Sequence, residues 1–212
     1  MTDPGGPLAM YGGTFDPIHI GHVRAAVELR ERLGFAQVVI IPAGKPMHRE
    51  PPKANAKHRL AMCRAAIAGN PSLVVDDCEI QRSGPSYTVD TLADLRRRFP
   101  GTSLCLVLGT DAFNSLDCWH QPERITELAH VLVLNRPGVE LRTPALFGKL
   151  RPIVASHRRL TAALAGGLFK VDLPQRDVSA SRVRRSLFGG ADTGDMLPCD
   201  VARYIEEHRL YR

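Results

Sequence analysis

Short runs of Val, Ile and Leu without polar alternation recur along the chain. Each is followed by a stretch in which apolar residues return every three or four positions. "LAMYG" from Leu8 precedes "HVRAAVELRERLG", which closes on Gly34. "QVVIIP" precedes, across a proline-rich basic loop, "KHRLAMCRAAIAG", again closing on glycine. "SLVVDD" precedes "TVDTLADLRRRF", where Pro100 enforces a stop; "SLCLVLG" precedes "QPERITELA", and "HVLVLNRPG" follows. The unalternating runs predict strands buried on both faces, and the periodic stretches predict amphipathic helices with glycine and proline stops. Strand and helix alternating four times predict an α/β fold: a Rossmann-like, doubly wound parallel sheet with helices on both faces and right-handed crossovers. "GLFKVDL" is expected to join the same sheet. "LPCDVARYIEEHRLYR" is expected to form a C-terminal helical cap, with Asp200 as N-cap and Glu206 and Glu207 on its polar face. Residues 1–7 read as a flexible leader and 8–212 as one domain, with 139–168 the hardest stretch to place.

Composition narrows the class. A chain of 212 residues can bury a full core, and 44% hydrophobic with 24% charged residues is ordinary for a globular protein. No apolar run approaches the roughly 20 residues that span a bilayer. The start, "MTDPGGPLAM", lacks the charged and apolar regions of a signal peptide, so the expected location is cytoplasmic, with no membrane partner. Cys63, Cys78, Cys105, Cys118 and Cys199 have neither zinc-ribbon nor redox spacing and are expected to be reduced. Twenty-eight basic against 22 acidic residues leave a net charge of +6, which suits anionic partners. Nucleic acid is not expected, because aromatics are only 6% and do not interleave with basic residues. Arg96 to Arg98 stand near a helix end, where cations complement the dipole, and are expected to face solvent.

The densest stretch is "GGTFDPIHIGH", Gly12 to His22, at the end of the first strand, where open parallel sheets bind ligands. Gly12 and Gly13 are expected to let the backbone turn sharply and approach a bound group. The helix that follows offers free N–H groups and the positive end of its dipole to an anion. His19 and His22, three apart, share one face of its first turn and point where phosphates would rest. The dinucleotide fingerprint G-x-G-x-x-G and the Walker pattern are both missing. No third ligand accompanies the histidines, so a metal centre is not expected; structural, hydrogen-bonded histidines remain the plainer alternative.

His19-Ile20-Gly21-His22 spells H-x-G-H, and "VSASRVR", Val178 to Arg184, is similar to I-S-[ST]-T-x-[IV]-R. Both elements in this order resemble the nucleotidyltransferase superfamily; the lysine-rich K-M-S-K-S loop of class I aminoacyl-tRNA synthetases is missing. "GPSYTVDTL", "GTDAFNSLDCWHQPERI", "VLVLNRPG" and "YIEEHRLYR" narrow the resemblance to the bacterial nicotinate-nucleotide adenylyltransferase family, over about Leu8 to Arg212.

This resemblance implies transfer of AMP from ATP to nicotinate mononucleotide, giving deamido-NAD and pyrophosphate. Mg²⁺ would bridge the ATP phosphates, and residues 176–212 would complete the ATP site. It implies catalytic roles for His19, His22 and Arg184. Gly12, Gly13, Thr14, Phe15, Gly109, Asp111, Arg136, Ser179 and Ser181 would bind ATP. Lys45, His48, Arg49, Tyr87, Thr88 and Trp119 would bind the mononucleotide, with Trp119 stacked on the pyridine ring. Taken alone, Trp119 and Phe15 read as core, Asp111 as a helix N-cap, Arg136 as a turn arginine, and Ser179 and Ser181 as the cap of "RVRRSLF". Asp16 and Pro17 are expected to set the loop. Ala43 stands where the family commonly has asparagine, and Met47 replaces a proline. Open alternatives are another acceptor (nicotinamide mononucleotide or phosphopantetheine) and a non-catalytic nucleotide-binding protein; a homo-oligomer also stays open.

Overall fold

The computed structural model describes residues 5–46, 51–135, 139–148, 152–174 and 178–212. The elements are β1 (Leu8–Gly13), α1 (Ile20–Leu33), β2 (Gln37–Pro42), α2 (Ala56–Ala66), β3 (Leu73–Val75), α3 (Cys78–Gln81) and α4 (Thr88–Arg98). They continue with β4 (Leu104–Gly109), α5 (Thr110–Asn114), α6 (Pro122–Leu128), β5 (His130–Asn135), β6 (Ile153–Val154), α7 (His157–Leu160), β7 (Leu168–Asp172), α8 (Ala180–Phe188) and α9 (Cys199–Glu207). The seven strands make one parallel sheet in the order β3-β2-β1-β4-β5-β7-β6. The chain runs outward from β1 to β3, then returns to β4 and builds the other half. That reversal opens a crevice beyond the carboxyl ends of β1 and β4, where doubly wound sheets take ligands. Gly13 and Gly109 end those two strands.

Side chains alternate along each strand between two covered faces. Leu8, Met10, Val39, Leu106 and Val131 pack with Leu92 and Leu95 of α4 and Ile125 of α6. Ala9, Val38, Cys105, Val107 and Leu132 pack with Ala26, Leu29 and Leu33 of α1. Burial on both sides is why these strands read as continuous apolar runs. A third cluster joins Phe15, Ile18 and Ile40 to Met62 and Cys63 of α2, Val183 of α8, and Val201 and Ile205 of α9. Val183, Val201 and Ile205 are all but fully buried, each contributing roughly 1.5–3 kcal/mol. They hold the C-terminal helices over the turn that follows β1.

Several expectations need correction. Helix α9 starts at Cys199 with Pro198 as N-cap; Asp200 lies in the first turn and its carboxylate accepts from Arg203. Pro198 keeps an extended backbone (ψ 141°), and helical geometry begins directly after it, one residue before Asp200. The Arg96–Arg98 run does not simply face water. Arg96 donates to the carbonyls of Phe99, Pro100, Thr102, Leu128 and Leu164, tying three segments together. Arg98 pairs with Asp76 and Asp94, and only Arg97 is exposed. Just before β1, Pro7 is buried and its carbonyl accepts from Ala36 N–H. β7 joins the sheet as expected, taking its place beside β5, and the stretch before it contributes the edge strand β6 and helix α7. All five cysteines are free thiols, with Cys63 and Cys105 buried. Among the described residues no helix is long and apolar enough to cross a membrane.

Candidate active site

The turn after β1 is not made by its glycines. Neither Gly12 nor Gly13 has a positive φ; Phe15 takes that conformation instead, at +48°. Gly13 is required for packing, since a Cβ there would lie 2.9 Å from the Phe15 ring. Phe15 is buried, and its ring stands edge-on to His22 at 5.0 Å. His19 is the extended N-cap of α1, and its ring stacks on that of His22 with centroids 3.7 Å apart. His22 Nδ1 accepts from the His19 backbone N–H at 3.2 Å. In the neutral imidazole the proton of His22 therefore sits on Nε2, ready to donate. His19 Nδ1 is buried without a hydrogen-bond partner, which leaves Nε2 as its nitrogen for a ligand. Between them, a Cβ on Gly21 would come within 3.1 Å of His19 Nδ1 and 3.0 Å of Val178 Cγ1. The glycine of H-x-G-H is thus where the first motif touches the second.

Burial pushes the His19 imidazole down from 6.5 to about 4. Burial, and then the neighbouring His19, hold His22 well below its ordinary value. Both rings are neutral donors at neutral pH in the unliganded protein. At His19 the unfolded chain binds a proton below about pH 6.5, whereas the folded chain refuses it until about pH 4; His22 acts in the same direction. Stability therefore falls as pH drops through that window, by about 3 kcal/mol for His19. A His19→Asn variant is expected to lose less stability between pH 7 and pH 4.5 than the parent, as measured by urea unfolding. Parallel losses in the two proteins would refute the assignment.

Asp16 is the hub beside the histidines. Its carboxylate accepts from Lys53 N–H at 2.8 Å, Ala54 N–H at 3.0 Å and the Tyr211 hydroxyl at 2.8 Å. It sets the loop, as expected. From α8, Arg184 Nη1 donates to the Asp16 carbonyl at 2.6 Å and lies 3.8 Å from its carboxylate. Ser179 caps α8 through Arg182 N–H at 3.3 Å, and its hydroxyl meets that of Ser181 at 3.2 Å. Ser181, Arg184, Arg185 and Phe188 line an open groove along this helix. The C-terminal guanidinium thus stands within three residues of His19.

On the other side of the crevice, Ser86 Oγ accepts from both Gly44 and Lys45 N–H at 3.0 Å. Lys45 is exposed there. Tyr87 and Thr88 begin α4, and the Tyr87 ring stacks on His120 with centroids 4.2 Å apart. Trp119, next to His120, packs one side against the core and keeps the other accessible, so the plain core reading is only half right. Gly109 ends β4 with nothing within 4 Å of its Cβ position. Gly109, not Asp111, is the N-cap of α5; Asp111 sits exposed in the first turn. Thr14 contributes its carbonyl to Arg59. Arg136, His48 and Arg49 lie outside the described residues.

Among the described residues no three His, Cys, Asp or Glu side chains gather to hold a metal ion. Asp16, the carboxylate in the turn itself, already accepts from three donors. Among the described residues, then, no carboxylates converge as a resident Mg²⁺ site would require.

Arg59, Ser86, His120 and Tyr211 were not singled out by the sequence. Arg59 carried a usable signal: a charge at i relative to Met62 and Cys63, on the apolar face of α2. The others have none, because their partners are far away in the chain.

Comparison with known proteins gives a family model, described as cytidylyltransferase-like, that matches residues 10–186. A Hahella chejuensis protein named probable nicotinate-nucleotide adenylyltransferase is 45% identical over 209 residues, covering 97% of this chain and 95% of that one. A protein of the same name from Aeromonas salmonicida is 40% identical over 211 residues, covering 97% of each. Among solved structures, Plasmodium falciparum nicotinic acid mononucleotide adenylyltransferase complexed with NaAD superposes with a TM-score of 0.75 at 16% identity, covering 97% of each chain. That likeness is one of fold.

Proposed function

The chain belongs to the cytidylyltransferase-like family, and from that premise we propose that it transfers AMP from ATP to nicotinate mononucleotide, forming deamido-NAD and pyrophosphate. One observation carries the reading: Arg184 bonds the Asp16 carbonyl at 2.6 Å, three residues from the stacked His19–His22 pair. Two motifs from opposite ends of the chain thereby face one crevice.

The nucleophile is the phosphate of the mononucleotide. It is largely a dianion at neutral pH, because the second pKa of a phosphate ester is about 6. It needs no general base, and two imidazoles with depressed pKa are suited to donating rather than accepting. In-line attack on the α-phosphorus builds charge on its oxygens, which the Nε2–H groups of His22 and His19 stabilise. Arg184 turns its guanidinium toward the leaving pyrophosphate. Positioning and charge stabilisation carry the rate, as in phosphoryl transfer generally. Mg²⁺ arrives as part of the ATP substrate and screens phosphate charge. Ser179, Ser181, Gly109 and Asp111 line the ATP side. Lys45, Tyr87, Thr88 and Trp119 form the acceptor side, where Trp119 and Tyr87 offer ring faces to the pyridine.

Purified protein with ATP and Mg²⁺, given nicotinate mononucleotide, nicotinamide mononucleotide or phosphopantetheine in separate assays, tests this. Pyrophosphate release is expected at the highest kcat/KM with nicotinate mononucleotide. Background rates with all three would defeat the enzyme reading, and a different order would change the acceptor.

A further inference from the structure

Arg59 of α2 is 1% exposed, the largest side chain among those fully buried. A buried cation normally meets a carboxylate. Asp16 and Glu79 act on Arg59 as nearby charges, but its hydrogen bonds go to three backbone carbonyls: Nη1 to Thr14 at 2.7 Å, Nη2 to Gly44 at 3.2 Å, and Nε to Ala54 at 3.2 Å. Each carbonyl belongs to a different segment. Thr14 lies in the turn that carries His19 and His22. Gly44 precedes Lys45 in the loop facing the acceptor side. Ala54 enters α2, and its own N–H is held by Asp16.

The Gly44 loop is gripped from its other side as well. Ser86 Oγ takes the N–H groups of Gly44 and Lys45, and Ser86 directly precedes Tyr87 and Thr88. The fit leaves no slack, since a Cβ on Gly44 would stand 2.1 Å from the Glu79 carbonyl oxygen. A single guanidinium therefore links the turn on the ATP side to the loop on the acceptor side.

We infer that Arg59 is a positioning residue that sets the spacing between the ATP turn and the mononucleotide loop, and so brings the attacking phosphate into line with the α-phosphorus. The inference rests on the adenylyl-transfer reading above. A guanidinium suits the task because its five donors lie in one rigid plane with fixed directions, so three segments are held at once. Lysine places its charge there but presents no fixed fork. A misplacement of about 1 Å between reacting groups costs on the order of 10²-fold in rate.

The test compares the parent with Arg59→Lys and Arg59→Gln by steady-state kinetics, and measures binding of ATP alone and of nicotinate mononucleotide alone by calorimetry. In Arg59→Lys, kcat is expected to fall roughly 10²-fold while each separate Kd stays within about threefold of the parent. A folded Arg59→Lys protein with parental kcat would overturn the inference. So would Kd values that weaken in step with kcat, the mark of a merely structural residue. Should the lysine variant fail to fold, Arg59→Gln, which is shorter and uncharged but keeps a donor at the position of Nε, is read by the same criteria at lower temperature. A parent protein that binds ATP but makes no dinucleotide would sink the adenylyl-transfer reading and this inference together.

Discussion

Replacing His22 with alanine is expected to lower kcat roughly 10²–10³-fold, the scale of losing one preorganised donor to transition-state charge. The tautomer of His22 sets the size of the effect. The backbone N–H of His19 points at His22 Nδ1, so the proton of the neutral ring is held on Nε2 and the ring cannot turn over without losing that bond. The stacked His19 ring and the edge-on Phe15 ring fix its plane. A donor held this way costs no reorganisation when charge develops on the α-phosphoryl oxygens. Because that contact strengthens in the transition state, kcat should fall far more than KM for ATP rises. The loss of the Nδ1 bond should cost only about 1 kcal/mol of stability, so the variant remains folded for the assay. Near-parental kcat in folded His22→Ala would remove His22 from the chemistry.

The largest stability effect is expected at Asp16. Its carboxylate is buried, accepts three hydrogen bonds, and lies 3.8 Å from Arg184. Asp16→Ala leaves the Lys53 and Ala54 amides and the Tyr211 hydroxyl without their acceptor and removes the negative charge beside a guanidinium. Breaking a buried ionic cluster of this kind costs about 3–5 kcal/mol. For a chain of this length that is a fall in Tm of roughly 6–20 °C. The C-terminal end should loosen first, because Tyr211 and Arg184 both close on this residue. Tyr211→Phe isolates one of the three bonds and should cost about 1 kcal/mol. Urea unfolding of both variants measures the difference; an Asp16→Ala loss no larger than that of Tyr211→Phe would show that the carboxylate is not the hub.

Local pattern made much of the molecule legible. Apolar runs without alternation meant strands covered on both faces, and Leu8–Gly13, Gln37–Pro42 and Leu104–Gly109 are such strands. Gly34 ends α1 in the left-handed conformation that glycine stops require. The stacking of His19 on His22 follows from a spacing of three at a helix start. Ser179 caps α8 because a hydroxyl three residues before a free N–H can reach it. Where local inference failed, distant atoms had intervened. Asp200 lost the cap to Pro198, and Arg96 found carbonyls from three segments instead of water.

The sequence by itself determined the alternation of strands and helices, the parallel sheet, and the two motifs whose residue types suit phosphate. Those are short-range properties, carried by spacings of two to four residues that repeat along each element. Only the tertiary structure decided that Asp16 receives Arg184 and Tyr211, 168 and 195 positions later, that Ser86 clasps the loop at Lys45, and that Arg59 reaches back to Thr14. Such contacts follow from how the helices seat on the sheet. No interval along the chain announces them, because the geometry that brings the partners within 3 Å exists only after the core has closed.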